Sequence, residues 1–368
     1  MTRNRVFPAL ALLIVVLTAY LLAWPLPIDP VSWTPPSAPE LTGTYARNSE
    51  LSGIERLSVN AMGPEDVAID SEGRIYCGVN DGWILRLQSD GTHPEVFADT
   101  RGRPLGLVFD REGNLIVADA IRGLLSIDRN KTISVLTTAA DGLPFGCTND
   151  VDVAQDGTIY FSDSSFKFPL SQLKADLLEH RGNGRLLAYD PHTKQTRTLL
   201  RDLYFANGVA VSPDQSFVLV AETGAYQIRR FWLSGARRGQ SDIFIDNLPG
   251  FPDGILSNGR DLFWLAIVTP RDTTLDKLLP HPFLRKVVMR LPTFLQPDIR
   301  HYAFVIALDQ NGVVVRNLQD SSPTCFSQIA NVVEHEGKLY FGSIGETGIG
   351  RMSLTLIGSA NNHTKKRD

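Results

Sequence analysis

The sequence has few cysteines and no large excess of charge of either sign. Its three cysteines, Cys77, Cys147 and Cys325, are scattered along 368 residues. They are too few for a disulfide framework or a zinc site, so we expect them to be buried as small apolar residues, with one disulfide bridge at most. The 36 basic side chains are balanced by 40 acidic ones, which argues against nucleic acid as a partner.

Long apolar runs are also missing, except for one at the N-terminus. Residues 6–24 read VFPALALLIVVLTAYLLAW, without a charge, and Arg3 and Arg5 precede them. This run predicts a transmembrane helix over residues 6–27, with residues 1–5 in the cytoplasm and the rest of the chain on the periplasmic, extracellular or lumenal side. A cleaved signal peptide fits the same flank. The length of the run, and Trp24 followed by prolines, favour an uncleaved anchor.

Two further segments flank the main body of the chain. Residues 28–49 continue a proline-rich stretch and predict a semi-rigid linker that spaces the body from the membrane. Residues 357–368 form a polar tail. Between these segments, residues 50–356 consist almost wholly of short apolar strands and polar turns.

Within this body, one strand-and-turn phrase recurs six times. The phrases begin at Glu65, Leu105, Asn149, Asn207, Asp253 and Ala330. Each continues into a polar turn and a second apolar strand, as in DSEGRIYCG and AQDGTIYFSD. A repeat of about 40–45 residues made of short strands is typical of propeller blades. The sequence therefore predicts an all-β fold, a six-bladed β-propeller over residues 50–356.

Two insertions interrupt the repeat. Residues 166–184 contain a short helical pattern in the third blade, and residues 269–300 contain two apolar and basic helical turns in the fifth. Both follow the second strand of a blade, so we expect them to overhang the mouth of the central channel. The second insertion has two interpretations: a packed helical cap, or a lid that also contacts the membrane.

Four of the six strand heads carry an oxygen ligand: Glu65, Asn149, Asn207 and Asp253. In a propeller these heads meet at one end of the channel. Two carboxylates and two amide carbonyls suit a hard divalent cation, and their irregular arrangement favours Ca²⁺ over Mg²⁺. Zinc is disfavoured because no histidine or cysteine occupies a strand head. Acids in the blade turns, such as Asp110, are instead expected to bind local backbone.

The segments GPEDVAID, DGLPFGCTNDVDVAQDGTIYFSDSS, YFANGVAVSPDQSFVLVAET and LPGFPDGI resemble the strictosidine synthase-like and gluconolactonase group. The resemblance spans about residues 50–356. It implies a six-bladed propeller that hydrolyses lactones or aryl esters with calcium bound at the four strand heads. The more distant paraoxonases imply a second, structural metal, for which Asp66 and Asp150 stand at the matching positions. Paraoxonases also carry an asparagine directly after the aspartate ligand. This chain has Gly254 at that position and so departs from the paraoxonase pattern.

A second departure concerns catalysis. True strictosidine synthases condense an amine with an aldehyde through a glutamate at the head of the sixth blade. Ala330 stands there. Because alanine cannot accept a proton, this condensation is disfavoured. No histidine heads a strand. His180 in the first insertion is within reach of the channel mouth, but a solvated surface side chain is the favoured interpretation.

The sequence therefore predicts a membrane-anchored, calcium-dependent hydrolase of small-molecule lactones or aryl esters. The metal would polarise the carbonyl, and Asp253, or else Glu65, would take a proton from the attacking water. A substrate pocket is predicted around Phe145, Phe251, Phe326 and His180. The alternative is a binding module, a propeller whose calcium is purely structural and whose top face docks a ligand or partner.

Overall fold

Short antiparallel strands dominate the chain because β-branched and aromatic residues alternate with turn-forming Asp, Asn and Gly. The computed structural model describes residues 3–356, with side chains from residue 7 onward. Within that range, six four-stranded sheets are arranged as the blades of a propeller. The all-β, six-bladed prediction is thus confirmed. The predicted polar tail, residues 357–368, lies outside the described residues.

Each blade runs from an inner strand at the channel to an outer strand. Blade 1 contains Val67–Ile69, Ile75–Gly78, Trp83–Leu87 and Glu95–Asp99, and blade 2 contains Pro104–Phe109, Leu115–Asp119, Gly123–Ile127 and Ile133–Thr137. Blade 3 contains Thr148–Val153, Ile159–Asp163, Gly184–Asp190 and Gln195–Leu203, and blade 4 contains Ala206–Val211, Phe217–Glu222, Gln227–Trp232 and Ser241–Ile245. Blade 5 contains Gly250–Ser257, Leu262–Pro270, Ala303–Asp309 and Val314–Asp320. A small hairpin, Ala139–Ala140 with Leu143–Pro144, precedes blade 3.

Blade 6 closes the ring with strands from both ends of the body. Its three inner strands are Ile329–His335, Lys338–Ser343 and Gly348–Ser353, and its outer strand is Glu55–Ser58. This outer strand pairs antiparallel with the last strand, with Glu55 opposite Arg351 and Ser58 opposite Gly348. The first and last parts of the body are therefore hydrogen-bonded to each other.

Among residues 3–356, four α-helices lie outside the blades: α1 (Arg3–Ala23), α2 (Leu173–Glu179), α3 (Thr273–Leu278) and α4 (Pro282–Met289). Short 3-10 turns occur at Gly43–Tyr45, Leu170–Gln172, Thr223–Ala225, Gly235–Arg237 and Thr293–Leu295. In the described part of the chain, no helix combines the length and apolar character that crossing a membrane requires. The transmembrane anchor and its orientation stay predictions.

The segment predicted as a proline-rich linker packs on the inserted helices. The N–H of Val31 donates to the carbonyl of Glu179, the last residue of α2, at 3.1 Å. The N–H of Trp33 donates to the carbonyl of Leu279, at the end of α3, at 3.3 Å. The last carbonyls of a helix have no partner within it, and the extended linker supplies donors for them. The linker therefore holds α2 and α3 together.

The core consists of apolar side chains packed between neighbouring blades. Phe217, Phe263 and Phe304 are buried in one such layer between blades 4 and 5. At Gly254 the inner strands of blades 5 and 6 approach too closely for a side chain. A Cβ on Gly254 would lie 2.6 Å from the carbonyl oxygen of Ala330. The three cysteines are buried and unpaired, as expected.

Candidate functional site

The heads of the inner strands meet around a small axial cavity of about 10 Å³. That is room for about one water-sized sphere. The cavity is lined by residues that lie in the inner strands or directly before them: Glu65, Asp66, Leu105, Gly106, Asn149, Asp150, Asn207, Asp253, Gly254, Ala330 and Asn331. The four predicted metal ligands are thus brought together, and Ala330 occupies the sixth head as expected.

Hydroxyl groups orient both amide side chains at this cavity. Nδ2 of Asn149 donates to Oγ of Ser164 at 2.9 Å, and Ser164 donates in turn to the carbonyl of Ala206 at 2.8 Å. Nδ2 of Asn207 donates to Oγ1 of Thr223 at 3.1 Å, and Thr223 donates to a carbonyl of the next blade at 2.6 Å. Because each hydroxyl already uses its proton on a carbonyl, it can only accept from the amide. The amide oxygens therefore remain available as ligands.

Ser164 and Thr223 were not predicted from the sequence. Each directly follows an acidic residue that ends the second strand of its blade, in the pairs Asp163-Ser164 and Glu222-Thr223. This shared position next to an asparagine-headed strand is the signal that would have identified them.

The two carboxylates at the cavity have different surroundings. Oε2 of Glu65 accepts a hydrogen bond from Nη2 of Arg103 at 2.7 Å, and Arg103 also donates to the carbonyl of Gly63 at 3.0 Å. Burial raises the pKa of Glu65, and the charge of Arg103 opposes that rise. Burial, with the negative charges of Glu65 and Asp150, raises the pKa of Asp253 well above its ordinary value. Asp253 thus has repelling neighbours that a cation would neutralise.

Asp66 directly follows Glu65, just ahead of the first strand of blade 1, and connects three blades. Its Oδ1 accepts from the N–H of Val67 at 2.6 Å, and its Oδ2 accepts from the N–H of Leu107 in blade 2 at 2.7 Å. Asn331 of blade 6 donates to Oδ1 at 2.5 Å. Burial and the charge of Asp150 raise the pKa of Asp66 well above its ordinary value. The visible role of this carboxylate is to join inner strands.

Asp150 makes the corresponding connection between blades 3 and 4. It accepts from the N–H of Val151 at 2.8 Å and from the N–H of Val209 at 2.7 Å. Burial raises the pKa of Asp150 to about 7. The second metal site proposed for Asp66 and Asp150 stays a prediction. Across residues 3–356, no group of three or more His, Cys, Asp or Glu side chains is arranged to hold a metal.

A much larger cavity of about 560 Å³ lies above the axial one. Its floor is formed by Glu65, Asn149, Asn207 and Asp253, with Arg103 beside them. Its walls and roof are mainly apolar and include Leu105, Phe205, Phe251 and Val268 from the blades and Leu170, Leu173, Leu177, Leu178, Leu275 and Ile299 from the insertions. Both insertions therefore overhang the channel, as expected. The size is within the range of small-molecule sites.

Of the four residues predicted to line a substrate pocket, only Phe251 lies on this cavity. Phe145 packs edge-on against Phe161, with ring centroids 5.4 Å apart, beneath the guanidinium of Arg185. Phe326 is 1% exposed and belongs to the core between blades 5 and 6. Both residues are close to strand heads in the sequence, but that position does not determine the direction of the ring. Their rings pack in the apolar layers between blades and do not reach the cavity.

His180 is not a pocket residue either, nor the solvated side chain that is usual for a surface insertion. It ends α2 and is 4% exposed. Its ring stacks between Trp33, at a centroid distance of 4.1 Å, and Tyr204, at 4.6 Å. Burial, helped by the charge of Arg285, lowers the pKa of His180 to about 3. The linker covers this histidine, and no local sequence pattern predicts that contact.

Comparisons with known proteins bear on this arrangement. A profile described as strictosidine synthase matches residues 149–236, and one described as strictosidine synthase-like, N-terminal, matches residues 43–87. Protein strictosidine synthase-like 6 of Arabidopsis thaliana is 37% identical over 312 residues, which cover 83% of this chain and 82% of that protein. The chain belongs to the strictosidine synthase-like family. The resemblance inferred from the sequence is confirmed.

A second relative and two solved structures extend the comparison. Adipocyte plasma membrane-associated protein of Rattus norvegicus is 34% identical over 356 residues, covering 90% of this chain and 94% of that protein. A gluconolactonase from Xanthomonas campestris superposes with a TM-score of 0.61 at 18% identity, covering 82% of this chain and 88% of that one. A calcium-binding protein, regucalcin, from Agrobacterium tumefaciens gives 0.58 at 13% identity, covering 81% and 92%. At such identities the structures support the propeller fold alone.

Proposed function

We propose that this chain is a membrane-anchored, calcium-dependent hydrolase of lactones or aryl esters. One observation carries the proposal: two carboxylates and two oriented amides form the floor of a cavity of about 560 Å³ with apolar walls. An oxygen-only set with two negative charges fits Ca²⁺. When bound, the cation would supply Lewis-acid polarisation of an ester carbonyl.

The side chains at the floor have distinct parts in this proposal. Asn149 and Asn207 present amide oxygens, held in position by Ser164 and Thr223. Asp253 lines both the axial and the larger cavity, so it can accept a proton from a water molecule that attacks the substrate. Glu65 is the weaker candidate for the base because Arg103 is paired with its carboxylate and favours the ionised form.

The names of similar proteins support the proposal in outline. The propeller neighbours include a gluconolactonase and a protein described as calcium-binding. The name of the rat relative supports attachment to a plasma membrane. Ala330 speaks against amine–aldehyde condensation, because the sixth strand head offers only a methyl group to the axis.

The test is hydrolysis of a panel of lactones and phenyl acetate by the full-length chain in detergent, with and without a calcium chelator. We expect chelator-sensitive turnover that returns when calcium is restored. Asp253→Asn keeps an oxygen ligand but removes the base, so hydrolysis should fall by about a hundredfold or more. Asp110→Asn is the matched control, because the Asp110 carboxylate accepts from Asn114 in its own turn.

Two results would change the proposal. If Asp253→Asn hydrolyses esters at the parental rate, another group is the base. If the parent binds calcium, measured by thermal stabilisation, but hydrolyses no ester or lactone in the panel, the chain is a binding module with a structural ion.

A further inference from the structure

Helix α4 buries an arginine and exposes several of its apolar side chains. Its Arg285 is fully buried and points toward the body of the protein. Phe283 and Leu284 are 55% and 44% exposed, and Val287 and Leu291 are partly exposed. At 100° per residue Phe283, Leu284 and Val287 lie on the side away from Arg285, and Leu291 follows just after the helix. A helix that faces water normally has the opposite arrangement.

Arg285 is buried because it binds the backbone of two other segments. Its Nη1 donates to the carbonyls of Leu178 and Glu179, at 2.9 and 3.2 Å, and its Nη2 donates to the carbonyl of Val31 in the linker. These contacts fix how the helix is rotated. The outward apolar face is therefore a consequence of specific hydrogen bonds.

The apolar surface continues on both sides of α4. After the helix, Phe294 and Leu295 are 82% and 57% exposed. On the other side, Arg290 donates to the carbonyls of Leu21 and Trp24, at 2.9 and 2.8 Å, and so holds the C-terminal end of α1 against this insertion. From residue 7 onward α1 is itself apolar and exposed on nearly every side. We call the surface formed by Phe283, Leu284, Val287, Leu291, Phe294 and Leu295 the cap surface.

We propose that the cap surface lies on a lipid bilayer, with the mouth of the large cavity beside it. A contiguous apolar patch that includes aromatic rings is typical of membrane contact, and its continuity with the apolar helix α1 favours lipid over a soluble protein. Ile299 connects the two features, because it is 38% exposed and also lines the cavity. An apolar ester would then enter from the lipid phase. Only this last step rests on the proposed hydrolase function.

The three native cysteines are buried, so a single introduced surface cysteine can be labelled selectively. We would place an environment-sensitive fluorophore on Leu284→Cys and on Phe294→Cys in the full-length chain, reconstituted in phosphatidylcholine liposomes. Val313→Cys is the matched control: Val313 is 57% exposed, but its turn lies at the opposite end of blade 5 from the insertion.

We expect nitroxide-labelled lipid to quench the fluorophore at positions 284 and 294 but not at 313, and aqueous iodide to quench it only at 313. Equal iodide quenching at all three positions would overturn the proposal. Protection from iodide at 284 and 294 without lipid quenching would also overturn it and would indicate a protein contact, such as a second copy. Neither result depends on hydrolysis, so a failure here is distinct from a failure of the proposed activity.

Discussion

Thr223→Val tests whether the hydroxyl groups behind the asparagines prepare the site for a cation. Valine keeps the shape of threonine but removes the acceptor of the Asn207 amide and the donor to the carbonyl of Pro252. Leaving buried polar groups unpaired costs about 1–3 kcal/mol. Mutation of residues that orient metal ligands typically lowers metal affinity by about tenfold to a hundredfold. This range agrees with the cost of the unpaired groups, because a loss of about 1.4 kcal/mol in binding free energy is a tenfold loss in affinity. We therefore expect calcium affinity to fall by about tenfold to a hundredfold.

The measurement is a calorimetric calcium titration of the full-length chain, accompanied by a melting curve to show that the variant is folded. Ser164→Ala should give a similar loss through Asn149, because it has the same arrangement. Thr132→Val, at an exposed turn of blade 2, should leave the affinity unchanged. If folded Thr223→Val binds calcium as tightly as the parent, the amide orientation inferred here does not prepare the site.

Three further predictions concern the fold and the cavity. Because burial holds the pKa of His180 near 3, below its ordinary value of 6.5, the stability that the neutral ring contributes is complete above about pH 6.5 and is lost as the pH falls toward 3. In His180→Asn, which suits the left-handed backbone at that position, melting temperature should fall less steeply over this window. Arg285→Met should lower the free energy of unfolding by about 3 kcal/mol, from lost hydrogen bonds to a charged donor, and should expose the linker to limited proteolysis, whereas Arg111→Met should do neither. Phe326→Ala should cost about 3–5 kcal/mol of stability without altering KM, whereas Phe251→Ala should change KM for aryl esters; equal KM effects would contradict the placement of the two rings.

The sequence was sufficient to predict the blades and the four oxygen ligands because both recur with the period of the fold. Each ligand occupies the same position ahead of an apolar strand, so the symmetry of a propeller brings them together. The outer strand of blade 6, Glu55–Ser58, follows from no such repeat, because its partner lies at the other end of the body. Long-range pairing of this kind is invisible to local patterns.

The surroundings of the site were harder to predict for a related reason. Phe145 and Phe326 are close to strand heads in sequence, but their direction is decided by packing between blades. His180 and Arg285 lie in helical insertions, where the sequence predicts that polar side chains face solvent. Both are instead buried, because the linker covers them. A proline-rich segment carries little information about where it packs, since its contacts are made through isolated backbone N–H and C=O groups and single side chains.

The contacts between the linker and the inserted helices also determine how the protein would respond to mechanical force. Any pull on α1 first reaches α4, because Arg290 binds the carbonyls of Leu21 and Trp24. It then reaches the linker, which is attached to the ends of α2 and α3 at Val31 and Trp33. The strand that closes the ring, Glu55–Ser58, begins more than twenty residues later. Tension would therefore be borne by the roof of the cavity before it reached the ring. A load on the N-terminal helix would open the cavity while the propeller remained closed.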